Sequence, residues 1–321
     1  MGGTVGNNQE GSPLFSKLPA EIRCHIFELA LAADDDTSKP YRADRKYYRP
    51  GYRYHPKIRC SLLQTCKRVY GEARLLPVSV NEHVFWLFNG PWKTIGRKNR
   101  NTARWKGWYA SLNEDQRNAV RTVHIFTQQY YLEGLGSHSD LEQLMFKTER
   151  LHLTIRHSDW WSWESPPESN DRLGICPWRE FRTSCQQMLC EPLEPSVSYI
   201  KQQMTRPSLI GDQAIVPTWG GQICQMQGLK AVEMEFEIGE EKRSQLQVVV
   251  ERAKHWKFPL FKEDIVLEWT GELKESSWEG PFYLKDDDQV LREPPPDQNL
   301  PKRQYYVVRM IWKATTKKHR V

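Results

Sequence analysis

The chain has 321 residues and a formal net charge of +6 at pH 7, and it contains thirteen Trp, thirteen Tyr and eleven Phe. This length and aromatic content provide enough apolar surface for a large folded core, which excludes a wholly disordered chain. The sequence has no apolar run near the roughly 18 residues of a membrane helix and no secretory signal, so we expect an intracellular protein, cytoplasmic or nuclear, without membrane contact.

The N-terminal region begins with a segment rich in Gly, Asn and Ser, residues 1–13, which we predict to be disordered. Residues 14–31 then have the pattern of an amphipathic helix. Pro19 suits the first helical position, and Glu21 is favourable in the positive first turn. Ile22, Ile26 and Leu29 recur at spacings of four and three, which places them on one face.

A second helical stretch covers residues 58–76 and contains Leu62-Leu63-x-x-Cys66-Lys67-Arg68. Together with Leu18-Pro19-x-Glu21-Ile22-x-x-x-Ile26-Phe27, this order resembles the F-box, and in particular a group of uncharacterised fungal F-box-like proteins. The resemblance is strongest over residues 12–88. It implies a substrate receptor that docks on the adaptor of a cullin-type ubiquitin ligase. The adaptor contacts that the resemblance implies are Leu18, Pro19, Glu21, Ile22, Ile26 and Phe27.

Between these helices lies a basic Tyr-rich insertion, residues 37–57. Residues 39–59 contain eight basic residues and one acidic residue, Asp44, so this segment carries +7, more than the whole chain. Five tyrosines are interleaved with the cations, a pattern that single-stranded nucleic-acid binding uses. The candidate polyanion-binding residues are Arg42, Arg45, Lys46, Arg49 and Arg53. The alternative is a solvated insertion whose tyrosines pack on the domain.

The rest of the chain alternates between strand and helix patterns. Apolar residues at alternate positions predict strands near residues 80–88, 120–125, 151–155 and 229–236, and helices are predicted at 141–148, 178–190 and 240–256. The 28-residue interval between Val123 and Leu151 lies in the leucine-rich-repeat range of roughly 20–29. We therefore predict an α/β fold, with α+β as the alternative, that is degenerate and leucine-rich-repeat-like. Strands near 265–270, 281–284 and 305–314 predict a terminal β segment.

These patterns divide the chain into an F-box-like helical segment, residues 14–88, and a strand–helix interaction domain, residues 89–321. The sequence contains no phosphate-binding Gly-rich loop, no G-x-S-x-G elbow and no H-E-x-x-H motif. The seven cysteines are scattered and form no C-x-x-C pair. We therefore expect no enzymatic activity, no cofactor and no metal.

A Trp-rich run follows the strand predicted at 151–155. We expect it to form a target-recognition surface, because ligands of open α/β sheets bind beyond the carboxyl ends of strands. The alternative is a buried aromatic cluster, and the target hypothesis requires at least one exposed Trp at the rim of a groove. The candidate residues of this run are His157, Asp159, Trp160, Trp161 and Trp163.

Three hypotheses for function follow from these features. The first is an F-box-type receptor that binds a ligase adaptor and an unknown protein target. The second is a protein that binds RNA or another polyanion through the Tyr-rich insertion. The third is an interaction domain in which the F-box-like helices form only a structural cap. Exposure of Ile22, Ile26 and Phe27 discriminates between them, since a docking helix requires an exposed apolar patch.

Overall fold

A mixed seven-stranded sheet organises the chain. The computed structural model describes residues 9, 11–43, 45–87, 90–91, 100–133, 148–178, 195–205, 218–261, 263–281 and 302–314. The strands of this sheet are β3 (Glu82–Trp86), β4 (Thr122–Phe126), β5 (Arg150–Ile155), β6 (Ala231–Gly239), β7 (Lys257–Leu260), β8 (Ile265–Pro281) and β9 (Lys302–Ala314). Their spatial order is β3-β4-β5-β6-β9-β8-β7. The predicted α/β class agrees with this arrangement of helices and sheet.

The sheet has a parallel half and an antiparallel half. Strands β3 to β6 are parallel and adjacent in chain order, and β9 pairs antiparallel with β6. The predicted terminal β segment corresponds to β8 and β9, which pair over most of their length. Gly271 has a φ of 85° and lies at the register shift between Trp269 and Leu273, a backbone conformation that favours glycine.

The helices of this region are α5 (Arg100–Ser111), α6 (Glu114–Ala119), α7 (Gln129–Leu132), α8 (Val197–Thr205), α9 (Trp219–Gln225) and α10 (Arg243–Ala253). One face of the sheet holds the main core, to which Ile125, Leu153 and Met234 contribute. Helix α10 lies within the helix predicted at 240–256 and packs on this face through Leu246 and Val249. The helices predicted at 141–148 and over most of 178–190 lie outside the described residues, as does nearly all of 1–13.

The N-terminal part forms a helical unit, residues 13–79. Its elements are α1 (Pro13–Ser16), α2 (Ala20–Leu31), a 3-10 helix (Cys60–Gln64), α3 (Lys67–Ala73) and α4 (Leu76–Ser79), with the hairpin β1 (Asp34–Pro40) and β2 (Tyr54–Lys57) between α2 and the 3-10 helix. Phe27, Leu31, Val69 and Ala73 form a small separate core. The helix predicted at 58–76 is interrupted at Cys66, because this residue is extended and its Sγ accepts from the Val69 amide to cap α3.

One predicted boundary changes. Strand β3 belongs to the sheet rather than to the helical segment, so the predicted division at residue 88 is wrong: β3 pairs with β4 along its whole length. The acidic run Asp34–Asp36 forms the start of β1, where Asp34 lies opposite Lys57 and forms an ion pair with Arg59. Among the described residues, no helix has both the length and the apolar character needed to cross a bilayer.

Candidate functional site

The sheet face opposite the main core is polar and yet buried. Alternation along β5 places Leu151, Leu153 and Ile155 on the core face, as predicted, and His152 and Thr154 on the other. The polar face also receives side chains from neighbouring strands, and all of the following are buried: His124, His152, Thr154, Glu233 and Glu237. Burial of so many polar groups requires partners, because unpaired ones cost free energy.

The Tyr-rich insertion provides much of this cover. Tyr52 packs edge-on against Trp86 and Phe126, whose rings stack at 3.7 Å. Arg49 is only 5% exposed and pairs with Glu235 on β6. The prediction that Arg49 contacts a polyanion is therefore wrong. The alternative, in which the tyrosines pack on the domain, agrees with these contacts.

The other four predicted polyanion-binding residues lie in two environments. Arg42 and Arg53 are exposed, whereas Arg45 and Lys46 are half-buried. The Lys46 ammonium lies 5.5 Å from the centre of the Trp163 ring, and burial lowers its pKa. The cations of the insertion therefore do not form one continuous exposed surface.

Five side chains on the polar face form a histidine cluster: Tyr52, Glu82, His124, His152 and Thr154. Tyr52 Oη lies 2.6 Å from His124 Nδ1, and His124 Nε2 lies 2.8 Å from Thr154 Oγ1. Thr154 Oγ1 lies 3.4 Å from His152 Nε2, and His152 Nδ1 lies 3.3 Å from Glu82. With both imidazoles neutral, these distances fit one chain in which each group donates to the next, from the Tyr52 hydroxyl to the Glu82 carboxylate.

The electrostatics of the histidine cluster favour this neutral state. Burial, and then the neighbouring His152, lower the pKa of His124 to about 3. Burial opposes ionisation of Glu82, but the neighbouring imidazoles of His124 and His152 outweigh it and lower the pKa of the carboxyl. Burial raises the pKa of Tyr52, so its hydroxyl keeps its hydrogen and remains a donor.

Two histidines and a glutamate are also common metal ligands, so coordination geometry decides whether the histidine cluster is a metal site. The ligand atoms of Glu82, His124 and His152 lie within 4.8 Å of one another. However, the two imidazole rings are stacked at 3.6 Å with an interplanar angle of 11°. Lone pairs in parallel ring planes run side by side and do not converge on one ion, as tetrahedral coordination requires. The cluster is therefore a hydrogen-bond network in its present geometry.

A second group of polar residues surrounds a small cavity, the Arg49 pocket. Its volume is about 20 Å³, enough for a group the size of one or two water molecules. It lies near the carboxyl ends of β5 and β6, where open α/β sheets bind ligands. The lining residues are Lys46, Tyr48, Arg49, Arg156, His157, Ser158, Trp163, Glu237, Trp278 and Tyr305.

Arg49 and Glu237 form the centre of the Arg49 pocket. Arg49 Nη2 lies 2.5 Å from Glu235 and 3.2 Å from Glu237. Glu237 also accepts from Trp278 Nε1 at 3.1 Å and from the His157 amide at 3.3 Å. Three donors therefore engage this carboxylate, whereas Arg49 Nε and Nη1 have no hydrogen-bond partner among the described residues.

His157 faces two donors at once. The Gly239 amide lies 3.0 Å from Nδ1, and an Arg303 guanidinium nitrogen lies 2.7 Å from Nε2. A neutral imidazole has a single acceptor nitrogen. In either tautomer, the other nitrogen carries a hydrogen and cannot accept from the donor that faces it. Burial, and then Arg303, lower the pKa of His157 to about 3, so the ring is neutral near pH 7.

The predicted target-recognition residues separate into three groups. His157 and Trp163 line the Arg49 pocket. Trp160 is 1% exposed, since it packs on Phe236 and donates to the Glu237 carbonyl, and Asp159 is buried in an ion pair with Arg156. The assignment of Trp160 and Asp159 to a contact surface is therefore wrong. Trp161 is 52% exposed, which agrees with the prediction that at least one Trp of the run is accessible.

The predicted adaptor-binding residues are mostly accessible. Leu18 is half-buried, Pro19 and Glu21 are exposed, and Ile22 and Ile26 are 50% and 40% exposed. Phe27 is 1% exposed because it faces α3 within the small core, so its assignment to the contact surface is wrong. The remaining apolar residue of the exposed face is Leu29, at 67%.

Sequence reasoning missed most of the polar face. Glu82, His124, Arg156 and Thr154 carried no motif, and the partners of Arg49 were not anticipated. One signal was present: β6 has Glu233, Glu235 and Glu237 at alternate positions, so three carboxylates share one face of a predicted strand. Such a face requires cations from elsewhere, and the segment with +7 is the obvious source. Comparison with protein-family models, with curated proteins and with solved structures finds no match to this chain.

Proposed function

We propose that the chain is an F-box-type interaction module, a substrate receptor whose helical unit docks on the adaptor of a cullin-type ubiquitin ligase. The observation that carries the proposal is the α2 stripe, formed by Ile22, Ile26 and Leu29. These side chains are 50%, 40% and 67% exposed on one face of a helix whose opposite face packs into the small core. An amphipathic helix with a free apolar face is a common means of docking in a partner's groove.

The distribution of apolar exposure supports this location. Ten large hydrophobic residues are exposed among the described residues, and six of them lie between residues 22 and 80. Scattered single apolar residues are normal on a surface, but a contiguous group marks an interaction site. Apart from the α2 stripe, the exposed large hydrophobic residues between 22 and 80 are Ile58, Tyr70 and Val80.

The start of α2 is held rigidly for such a contact. Arg23 donates from Nε and Nη2 to the two oxygens of Glu72 on α3, at 3.0 and 3.1 Å. Its Nη1 donates to the Leu18 carbonyl at 2.7 Å. Arg23 therefore fixes the Leu18-Pro19 turn against α3 and holds it beside the stripe. Pre-organisation of this kind reduces the entropic cost of binding.

The sheet region is the proposed holder of the protein target. Its four parallel strands follow one another in chain order, as successive units of a repeat do. We propose that β3 to β6 form a short, degenerate stack that is similar to a leucine-rich repeat. The exposed Trp161, which stacks on Tyr130 at 6.0 Å, provides an aromatic contact for the target on this region.

The test measures how much ligase adaptor co-purifies with the double variant Ile22→Asp/Ile26→Asp and with the unmodified chain. Two charges in the contact should reduce adaptor recovery by about 100-fold or more, since each buried aliphatic side chain contributes roughly 1.5–3 kcal/mol. The melting temperature should not change, because both side chains are exposed. Val248→Asp is the matched control, as Val248 is 50% exposed on α10. Normal recovery with the double variant, or no recovery with the unmodified chain, contradicts the proposal.

A further inference from the structure

The Arg49 pocket contains more hydrogen-bond donors than acceptors. Glu237 is the one carboxylate among its described lining residues. Glu237 already accepts from three groups of the protein. The buried Arg49 has two nitrogens without a partner in the described part of the chain. Buried donors normally have partners, so this excess calls for an acceptor from outside the protein.

His157 leads to the same conclusion independently. The Gly239 amide is fixed by the end of β6, so its approach to Nδ1 places the ring hydrogen on Nε2. That hydrogen then points at the guanidinium of Arg303, which lies 2.7 Å away. An acceptor bound beside Nε2 would satisfy this ring N–H. A metal ion would not, since the groups here are donors and cations.

We propose that the Arg49 pocket binds the carboxylate of a ligand whose adjoining part is apolar. The carboxylate would accept from Arg49, Lys46 and His157. Trp163, Trp278 and Tyr305 line the same cavity and provide aromatic surface for the adjoining part. The small volume of about 20 Å³ admits a single such group rather than a whole cofactor.

The charge balance favours a carboxylate over a phosphate. Arg49 is already compensated by Glu235 and Glu237, and Arg156 by Asp159. A doubly charged phosphate monoester would therefore leave the buried site more negative than a singly charged carboxylate would. Burying uncompensated charge is costly, so the monoanion is the better match.

The test is isothermal titration calorimetry of the full chain at constant ionic strength, with benzoate, benzamide and phenyl phosphate. We expect benzoate to bind with a Kd of about 1 mM, which is ordinary for a ligand of its size. Benzamide has the same shape without the charge and should bind about tenfold more weakly, because it loses charge-assisted hydrogen bonds. A peptide Gly-Gly-Phe with a free or an amidated C-terminus distinguishes a chain end from a small molecule as the source of the carboxylate.

The variant Lys46→Met tests the location. It should weaken benzoate binding by about tenfold, whereas Arg53→Met, which removes an exposed cation from the same insertion, should change it by less than about twofold. Three results would overturn the proposal. The first is no binding of benzoate or of the free peptide at a concentration about 20 times the expected Kd. The others are tighter binding of phenyl phosphate than of benzoate, and equal benzoate binding by Lys46→Met and the unmodified chain. The comparison of benzoate with benzamide needs no variant, so the test does not depend on whether Lys46→Met folds.

Discussion

The histidine cluster and the Arg49 pocket lie on the same polar face of one sheet, and they differ in the balance of donors and acceptors. In the histidine cluster, each ring nitrogen has a complementary neighbour along one chain from Tyr52 to Glu82. In the Arg49 pocket, two Arg49 nitrogens lack a described partner and His157 meets two donors. A polar group whose needs are met inside the protein holds the fold together, whereas an excess of one kind points to a ligand.

The largest expected effect comes from Arg49→Met. This variant leaves Glu235 and Glu237 without their shared cation, and Glu237 is 4% exposed. Breaking a buried ion pair by removing one partner should lower the free energy of unfolding by about 3–5 kcal/mol. Urea unfolding of the full chain measures it, with Arg53→Met as the control. A loss below about 1 kcal/mol would show that the pocket does not need its central cation for folding.

The next prediction concerns acidification, to which one buried histidine of each group should contribute. The pKa values of His124 and His157 are about 3 in the folded chain, while an unfolded histidine has a pKa of about 6.5. Below pH 6.5 the unfolded chain therefore takes up protons that the folded chain does not, and stability falls as pH falls towards 3. Each histidine should contribute about 1.4 kcal/mol per pH unit to this loss.

Urea unfolding between pH 6 and pH 5 checks this expectation. His124→Gln and His157→Gln should each remove one histidine's share of the slope, about 1.4 kcal/mol per pH unit. If only the His124 variant changes the slope, then His157 accepts a proton while folded. That result would mean that the pocket is more open to water than the balanced cluster.

The smallest expected effect concerns the first donor of the histidine cluster. Tyr52→Phe removes the hydroxyl that donates to His124 Nδ1 and should cost about 1–2 kcal/mol, because a buried acceptor loses its partner. Tyr48→Phe, in the same insertion but in the Arg49 pocket, should cost less than about 0.5 kcal/mol. Equal losses in chemical unfolding would remove the distinction between a balanced and an unbalanced group.

Local patterns predicted the sheet well. The alternation in Leu151-x-Leu153-x-Ile155 identifies β5 and its core face, because strand geometry repeats every two residues. The pattern of Ile22 and Ile26 likewise identified one face of α2. It did not show which face is buried, since that depends on α3, which packs on Phe27 and Arg23. The prediction for Phe27 failed for this reason.

The candidate site depends on contacts that are distant in sequence. Arg49 and Glu235 are separated by 186 positions, and Tyr52 and His124 by 72. The sequence shows that cations are abundant in the insertion and that carboxylates alternate along β6. It does not show which cation meets which carboxylate, because that choice requires the insertion to fold back on the sheet.

The position of β9 in the sheet has a consequence for how the chain is synthesised and folded. This strand, residues 302–314, lies between β6 and β8, so it joins the parallel strands to the β7–β8 hairpin. A nascent chain that has not yet released β9 from the ribosome has two unpaired sheet edges, β6 and β8, and cannot unite them. Exposed edges template aggregation, so the protein passes through a vulnerable stage that lasts until residues 302–314 have emerged.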